Sequence, residues 1–322
     1  DKEHDMIIVG GEALVDLVPD RAGGYLPIPG GSPANTAVGL GRLGAQTALL
    51  ARLADDRLGA LLRAHLETSN VDLRYIATST APTTLAVVDV DQDGVADYSF
   101  YIDGCADGGW QVADLPTDLP PDAALHVGGS FALAVEPMAA AFETLLSREH
   151  PHRVVTFDPN IRPCLIGDDA TVRARLRRWL GMVDVVKVSA DDLRWIAPDR
   201  PLADVVAEWH EQGAVLVVVT RGAEGVYASG PTGHVDLPAL SVDIADIVDT
   251  VGAGDAFMAG LLAAFDRNDL LTRTNLATVT HTELTDIVTY AQRVAAITCT
   301  RPGADSPWFD ELLPAEVRCA TS

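Results

Sequence analysis

The sequence predicts an α/β fold: a three-layer α/β/α domain on a central, mostly parallel sheet, with a small β-hairpin lid. Three observations predict it. Short, strongly apolar runs recur along the chain, each followed by a stretch with helical spacing of its apolar residues, the alternation that builds a parallel sheet covered on both faces. One stretch, Thr83 to Tyr101, breaks that rhythm with two β-type runs around Asp91-Gln92-Asp93-Gly94, a strong hairpin turn signal. Hydrophobic residues make up 48% and charged residues 21% of the chain, a balance that supplies a full core and argues against disorder. The expectation is one domain over all 322 residues, with lid segments near 17–31 and 82–107.

Element by element, Met6-Ile7-Ile8-Val9 is a short apolar run that stops at Gly10-Gly11 and reads as a buried strand. Residues 19–31 are rich in Pro and Gly around Tyr25, Leu26 and Ile28, which fits a loop or a small edge strand. Ser32-Pro33 has the form of an N-cap followed by proline at the first helical position, and this helix runs to Leu43 and closes at Gly44. A strand over Thr47 to Ala51 and an amphipathic helix over Asp56 to Ser69 follow. Further strands are expected near 123–128, 153–157, 184–188 and 214–219, with helices between them. Beyond 219 come Gly-rich hairpin signals, an apolar-acidic strand from Ile244 to Val248, a helix over 255–266 and another over 284–299. There is no internal repeat.

The formal charge is -23. Such a surface repels phosphate backbones and anionic lipid, so neither nucleic acid nor membrane is an expected partner. Cys105, Cys164, Cys299 and Cys319 are widely spaced with no CxxC pair, which supports neither a zinc site nor a disulfide framework. Reduced thiols, a charged start at Asp1 to Asp5 and the lack of a long apolar run lead to the expectation of a cytoplasmic protein.

The segment richest in chemistry is Asp249-Thr250-Val251-Gly252-Ala253-Gly254-Asp255-Ala256-Phe257, just before an apolar helix. Its glycines let the backbone turn sharply and leave N–H groups unobstructed at a helix start, where partial positive charge gathers. The product is an anion hole suited to a phosphoryl group in transfer. Asp255 has two readings: a helix N-cap, contributing about 1 kcal/mol, or a general base for an alcohol.

This segment resembles the C-terminal signature of the ribokinase-like (phosphofructokinase-B) carbohydrate kinases. The N-terminal signature is similar too, in the run from Gly30-Gly31-Ser32-Pro33-Ala34-Asn35 to Gly44, continuing through Leu53-Ala54-Asp55-Asp56-Arg57-Leu58-Gly59. Two motifs in the right order and far apart carry the resemblance over nearly the whole chain. It implies an ATP-dependent sugar kinase with Asp255 as base and Gly252, Ala253 and Gly254 in the anion hole. Asp16, Gly30, Gly31 and Asn35 are the sugar-side residues it implies, since a carboxylate and an amide can satisfy hydroxyls that glycine lets come close. Phe157-Asp158-Pro159-Asn160-Ile161-Arg162 resembles a segment common in fructokinases and 2-keto-3-deoxygluconate kinases, with Arg162 a cation for sugar or phosphate. Val217 to Gly225 resembles the nucleotide-side strand and turn, which points to Thr220, Gly222 and Gly225. Arg301-Pro302-Gly303-Ala304 matches a segment that lies by the adenine and a monovalent-cation loop in relatives.

Two departures matter. Relatives often have Asn-x-x-Glu where this chain has Ser189-Ala190-Asp191-Asp192. Ser189 is then a nucleotide-side candidate and Asp192 keeps a carboxylate for Mg²⁺ through water, with no metal ligand assigned. Ile102 stands where acid-sugar kinases are expected to carry Arg, which favours a neutral sugar such as fructose, with Tyr101 stacking on it. The implied reactants are ATP, Mg²⁺ and a monosaccharide, with K⁺ as a candidate activator and the lid as a candidate homodimer surface. 2-Keto-3-deoxygluconate or ribose is the alternative substrate, and a catalytically silent sugar or nucleotide sensor is the non-enzyme alternative.

Overall fold

The chain starts its main sheet with β1 (Ile7–Gly10), whose four residues are all buried. Next come β2 (Leu14–Pro19), β3 (Tyr25–Gly30), α1 (Ser32–Arg42), β4 (Thr47–Leu50), β5 (Arg52–Ala54), α2 (Arg57–Thr68), β6 (Val71–Asp72) and β7 (Ala77–Ser79). They are followed by β8 (Leu85–Val90), β9 (Ala96–Tyr101), β10 (Ala124–Gly128), α3 (Ser130–Ala134), α4 (Met138–Glu149), β11 (Val155–Asp158), α5 (Asp169–Leu180) and β12 (Val185–Ser189). The last elements are α6 (Ala190–Ile196), α7 (Leu202–Gln212), β13 (Leu216–Thr220), β14 (Val226–Gly230), β15 (Gly233–Leu237), α8 (Ala253–Arg267), α9 (Arg273–Leu276) and α10 (His281–Cys299). The structure, a computed structural model, describes residues 6–20, 22–90, 96–240 and 247–313.

Nine strands form one sheet in the order β15-β14-β13-β12-β11-β10-β1-β4-β6. Every neighbouring pair from β13 to β6 is parallel, and the pairs β13–β14 and β14–β15 are antiparallel, so β14 alone among these nine strands is reversed. Strand alternation splits the core in two. Ile7 and Val9 join α1, α2, α8 and α10 on one face, while Ile8, Leu125 and Val127 join α3, α4, α5 and α7 on the other. A Cβ on Gly260 of α8 would lie 2.9 Å from the Ala291 Cα of α10, so glycine here lets those two helices touch.

A second sheet, in the order β3-β2-β8-β9, stands beside the first. It draws on both sequence segments read as a lid, and β2 and β8 join them in parallel. Register places Asp16 beside Ala86 and Ala86 beside Phe100, on the face where Phe100 meets Phe131 edge-on with ring centroids 5.5 Å apart. Tyr101 projects from the opposite face and is 58% exposed.

Three local expectations change. Helix α1 is capped by the backbone of Gly31 at φ 100, with Ser32 already inside the helix and making no cap bond. Helix α8 begins at Ala253, two residues earlier than read, so Asp255 sits in its first turn and is not the cap. Ile247 and Val248 are not in a strand, while 244–246 and the 91–94 turn lie outside the described residues.

Candidate functional site

Open α/β sheets bind ligands beyond the carboxyl ends of their strands, where neighbouring connections diverge. Here the chain leaves β1 through Gly11 and Glu12, β10 through Gly129 and Ser130, and β11 through Asp158 to Arg162, while α8 starts above the same edge.

Asp255 is the centre of this edge and is only 8% exposed. Its carboxylate does not turn back to cap its own helix. Ser32 Oγ donates to Oδ1 at 2.7 Å and Asn35 Nδ2 donates to Oδ2 at 2.9 Å. Burial raises the Asp255 pKa, opposed by the Asn35 and Ser32 bonds and by the positive charges of Lys187 and Arg162. Around it, Gly252 takes the left-handed conformation at φ 73, and a Cβ there would lie 2.3 Å from that of Ala304. The Ala253 N–H is spent on Thr250 O at 3.2 Å, so it turns inward and leaves the expected amide set. The N–H groups of Gly252, Gly254 and Asp255 donate to no acceptor among the described residues, and they lie at a helix start where an anion is favoured.

Beneath Gly254 lies a cation that the sequence reading did not assign. Lys187, 3% exposed, comes from the middle of β12 and bonds Asp158 Oδ2 at 2.7 Å. A Cβ on Gly254 would stand 3.2 Å from Lys187 Nζ. Burial by itself lowers a lysine pKa, but the nearby Asp158, Asp192 and Asp255 outweigh it and keep Lys187 above its ordinary value. The signal was present in Val-Val-Lys-Val-Ser, a lysine interrupting a strand buried on both faces. Its neighbour His126 is held neutral, with burial and then Lys187 pushing its pKa down to about 3.

On the small-sheet side Asp16 faces the cleft. Burial and then Asp255 raise its pKa to about 7. Gly30 makes room for it: a Cβ there would fall 2.2 Å from Asp16 Oδ2. Gly31 is held against the Glu12 backbone, with 2.8 Å between its virtual Cβ and Glu12 O. Glu12, also unassigned from sequence, is 4% exposed. Its Oε2 has no hydrogen-bond partner among the described residues, and burial, then Asp107 and Asp255, push its pKa to about 8. Asp107 is fully buried and, mainly through that burial, titrates near 7. The aromatic whose charge environment includes Asp16, Arg162 and Asp255 is Tyr98. Tyr101 points away, because its place in the strand has the opposite parity.

Arg162 is exposed, and no described carboxylate forms an ion pair with it, yet its charge lowers both Asp255 and Glu12. Its loop is pinned by Ser130 Oγ, which accepts from the Arg162 N–H and donates to Asn160 O, both at 2.6 Å.

The nucleotide-side candidates divide. Ser189 and Thr220 are register partners at the ends of β12 and β13. Ser189, however, caps α6 and donates from Oγ to Asp192 Oδ2 at 2.6 Å, and Asp192 Oδ1 accepts from the Ile161 N–H at 2.7 Å. Both oxygens of Asp192 are thus engaged, and it is buried. Gly222 opens onto free space at φ 56, whereas Gly225 is needed because a Cβ would strike Leu237 O at 2.0 Å. Asp249 joins the 301–304 segment to the α8 loop by accepting from the Gly303 N–H at 2.8 Å. Among the described residues no cluster of three or more His, Cys, Asp or Glu side chains could hold a metal ion, and no helix is long and apolar enough to cross a membrane.

Residues 6–311 match the model of the pfkB family of carbohydrate kinases. The chain is 41% identical over 279 residues to the fructokinase of Rhizobium leguminosarum bv. trifolii, covering 85% of this chain and 84% of that one. Among solved structures, the fructokinase of Xylella fastidiosa with bound ATP superposes with a TM-score of 0.84 at 29% identity, covering 93% of each chain. The Vibrio cholerae O395 fructokinase double mutant with fructose, ADP and potassium ion superposes with a TM-score of 0.82 at 28% identity, covering 94% of this chain and 95% of that one. The fold is therefore the ribokinase-like three-layer α/β/α arrangement, and the chain belongs to the pfkB family of carbohydrate kinases.

Proposed function

We propose that this kinase moves the γ-phosphoryl group of ATP to the primary O6 hydroxyl of D-fructose, giving fructose 6-phosphate and ADP. The observation that carries the proposal is Asp255: a buried carboxylate next to Gly254, whose N–H at the start of α8 has no acceptor among the described residues. Asp255 takes the hydroxyl proton as the sugar oxygen bonds to the γ-phosphorus. The bond from that phosphorus to the β,γ-bridging oxygen breaks, and its electron pair leaves with ADP. The N–H groups of Gly252, Gly254 and Asp255 meet the charge on the transferring group. A carboxylate with a raised pKa is a stronger base, and the Asn35 and Ser32 bonds with the charges of Lys187 and Arg162 favour its ionised form. Ser32 and Asn35 hold it in place, and Asn35 exchanges its bond for one to the sugar as the substrate enters.

Asp16, seated in the space that Gly30 leaves, accepts from sugar hydroxyls, and Arg162 offers the cation at the cleft rim. Thr220, Gly222 and the 301–304 segment form the nucleotide side. Mg²⁺ would be carried by the triphosphate, with Asp192 the carboxylate that could reach it through water. K⁺ activation belongs to the same proposal and predicts higher kcat in potassium than in choline salts. The exposed Tyr25, Leu26, Ile28 and Tyr101 of the small sheet supply the face for a homodimer, which light scattering of wild type and Leu26→Asp would reveal or refute. A cytoplasmic location, where ATP is supplied, is part of this proposal and is checked by cell fractionation.

The deciding experiment is a panel of sugars with MgATP, read by ADP release. D-Fructose should give the highest kcat/KM. Faster turnover of ribose or 2-keto-3-deoxygluconate would replace the substrate, and the absence of any turnover would return the sensor alternative.

A further inference from the structure

Lysine is among the residues least often found fully buried, and a buried ammonium without a partner titrates away from its charged form. Lys187 is buried in the middle of the parallel sheet and keeps its charge through Asp158 at 2.7 Å. An ion pair of this kind adds little to stability compared with a packed apolar pair. Its position has a different consequence. The ammonium lies against Gly254, 3.2 Å from where a Cβ would be, beside the first turn of α8. A side chain at Gly254 would press on the ammonium.

We propose that Lys187 is a positioning residue for phosphoryl transfer. It is a fixed positive charge behind the backbone anion hole that favours the charged transition state and keeps Asp255 ionised, while Asp158 tethers it. The proposal rests on the assignment of Asp255 and the α8 start to phosphoryl transfer. It also answers how a protein of charge -23 draws a triphosphate into its cleft. One cation is placed where low dielectric strengthens it, and the surrounding surface stays acidic.

The charges facing Asp255 are Glu12, Asp16, Tyr98, Asp158, Arg162 and Lys187; those facing Lys187 are Asp158, Asp192, Asp255 and neutral His126. Among the described residues, the cations that act on Asp255 are Lys187 and Arg162, and Arg162 is exposed to screening solvent. Removing Lys187 therefore takes away the better-shielded cation, and the Asp255 pKa rises.

The test uses three full-length variants. Lys187→Gln keeps a donor to Asp158 without the charge. Lys187→Met with Asp158→Asn removes both charges together, guarding against misfolding from an unpaired Asp158. Lys187→Arg keeps the charge. In the folded neutral variants, kcat should fall about 10²- to 10³-fold, the size of losing one preorganised electrostatic contact. The KM for the sugar should stay within about threefold, and the acid limb of kcat/KM should move to higher pH. Binding of ADP with aluminium fluoride should weaken more than binding of ADP alone, a readout independent of the sugar. Lys187→Arg should retain kcat within about tenfold. The proposal is overturned if a folded neutral variant keeps kcat within about twofold with an unmoved acid limb, or if Lys187→Arg folds yet is as slow as Lys187→Gln. Those results would leave the Asp255 assignment standing if Asp255→Asn is inactive; a wild type that phosphorylates no sugar would instead remove that assignment.

Discussion

On the α8 side of the cleft a buried cation stands among its partners: Lys187 is tied to Asp158, with Asp192 and Asp255 nearby, beside backbone N–H groups that meet no acceptor among the described residues. On the small-sheet side the buried groups are acids, Glu12, Asp16 and Asp107, whose pKa values rise to about 8, 7 and 7. One half stabilises charge, and the other holds carboxyls close to neutral, able both to donate and to accept. That division suits a polyanion on one side and a polyol on the other. Overall net charge also says little about a site, since a -23 chain still sets backbone N–H groups and a lysine among the carboxylates of this one.

The largest effect should come from the acid that stands between the halves. Asp255→Asn keeps an oxygen to accept from Ser32 but cannot take a proton. Steady-state assays should show kcat lower by about 10²- to 10⁴-fold, with ADP affinity changed little. Activity near that of wild type would remove Asp255 from the role of base and leave only the anion-binding half of the comparison.

Asp16→Asn should act on the other half. A lost hydrogen bond to a charged or partly charged acceptor costs about 1.5–3 kcal/mol, so kcat/KM for the sugar should fall about 10- to 100-fold, mostly through KM. The KM for ATP should hardly move. An effect on ATP as large as that on sugar would mean that the two halves are not separate.

Much of this architecture was legible in the residues. Strands buried on both faces read as largely apolar runs, so β1, β4, β10, β11, β12 and β13 all lie close to where they were expected. The resemblance also singled out Asp255, Asn35 and Asp16 through the Gly-rich segments beside them, and folding brings Asn35 onto Asp255. What sequence alone concealed was three-dimensional. Ser32 looked like a helix cap because Ser-Pro so often is one; Gly31 takes that place, and the freed hydroxyl crosses 223 positions of sequence to Asp255. Tyr98 and Tyr101 differ only in strand parity, and parity has no meaning until one face is known to be buried. Lys187 was visible as an oddity in an apolar strand, but nothing in its neighbours along the chain names Asp158 or Gly254, which meet it only after folding. Glu12 stood in view beside Asp16, yet its burial depends on Gly129, whose virtual Cβ would lie 2.1 Å from Glu12 Oε2.

The smallest effect concerns the acids in the absence of sugar. Glu12 binds its proton more tightly folded than unfolded, its pKa moving from the usual 4.5 to about 8, chiefly through burial. The stability this lends is complete below the unfolded value and disappears as pH climbs through the folded one. Asp16 and Asp107 act in the same sense, ending near 7. His65 and His126 have lowered values and act oppositely, but only in more acidic solution. Above pH 7 the acids should dominate, so the melting temperature of the sugar-free protein should decline between pH 7 and 9. Glu12→Gln keeps a neutral side chain of the same shape and should flatten the decline by about 2–4 °C, the shift expected for about 1 kcal/mol in a domain of this size. Calorimetry at the two pH values in wild type and variant would check it. An equal slope in both proteins would mean that Glu12 is already ionised at neutrality, and the small-sheet half would then carry fixed negative charge where neutral, hydroxyl-matching groups are expected.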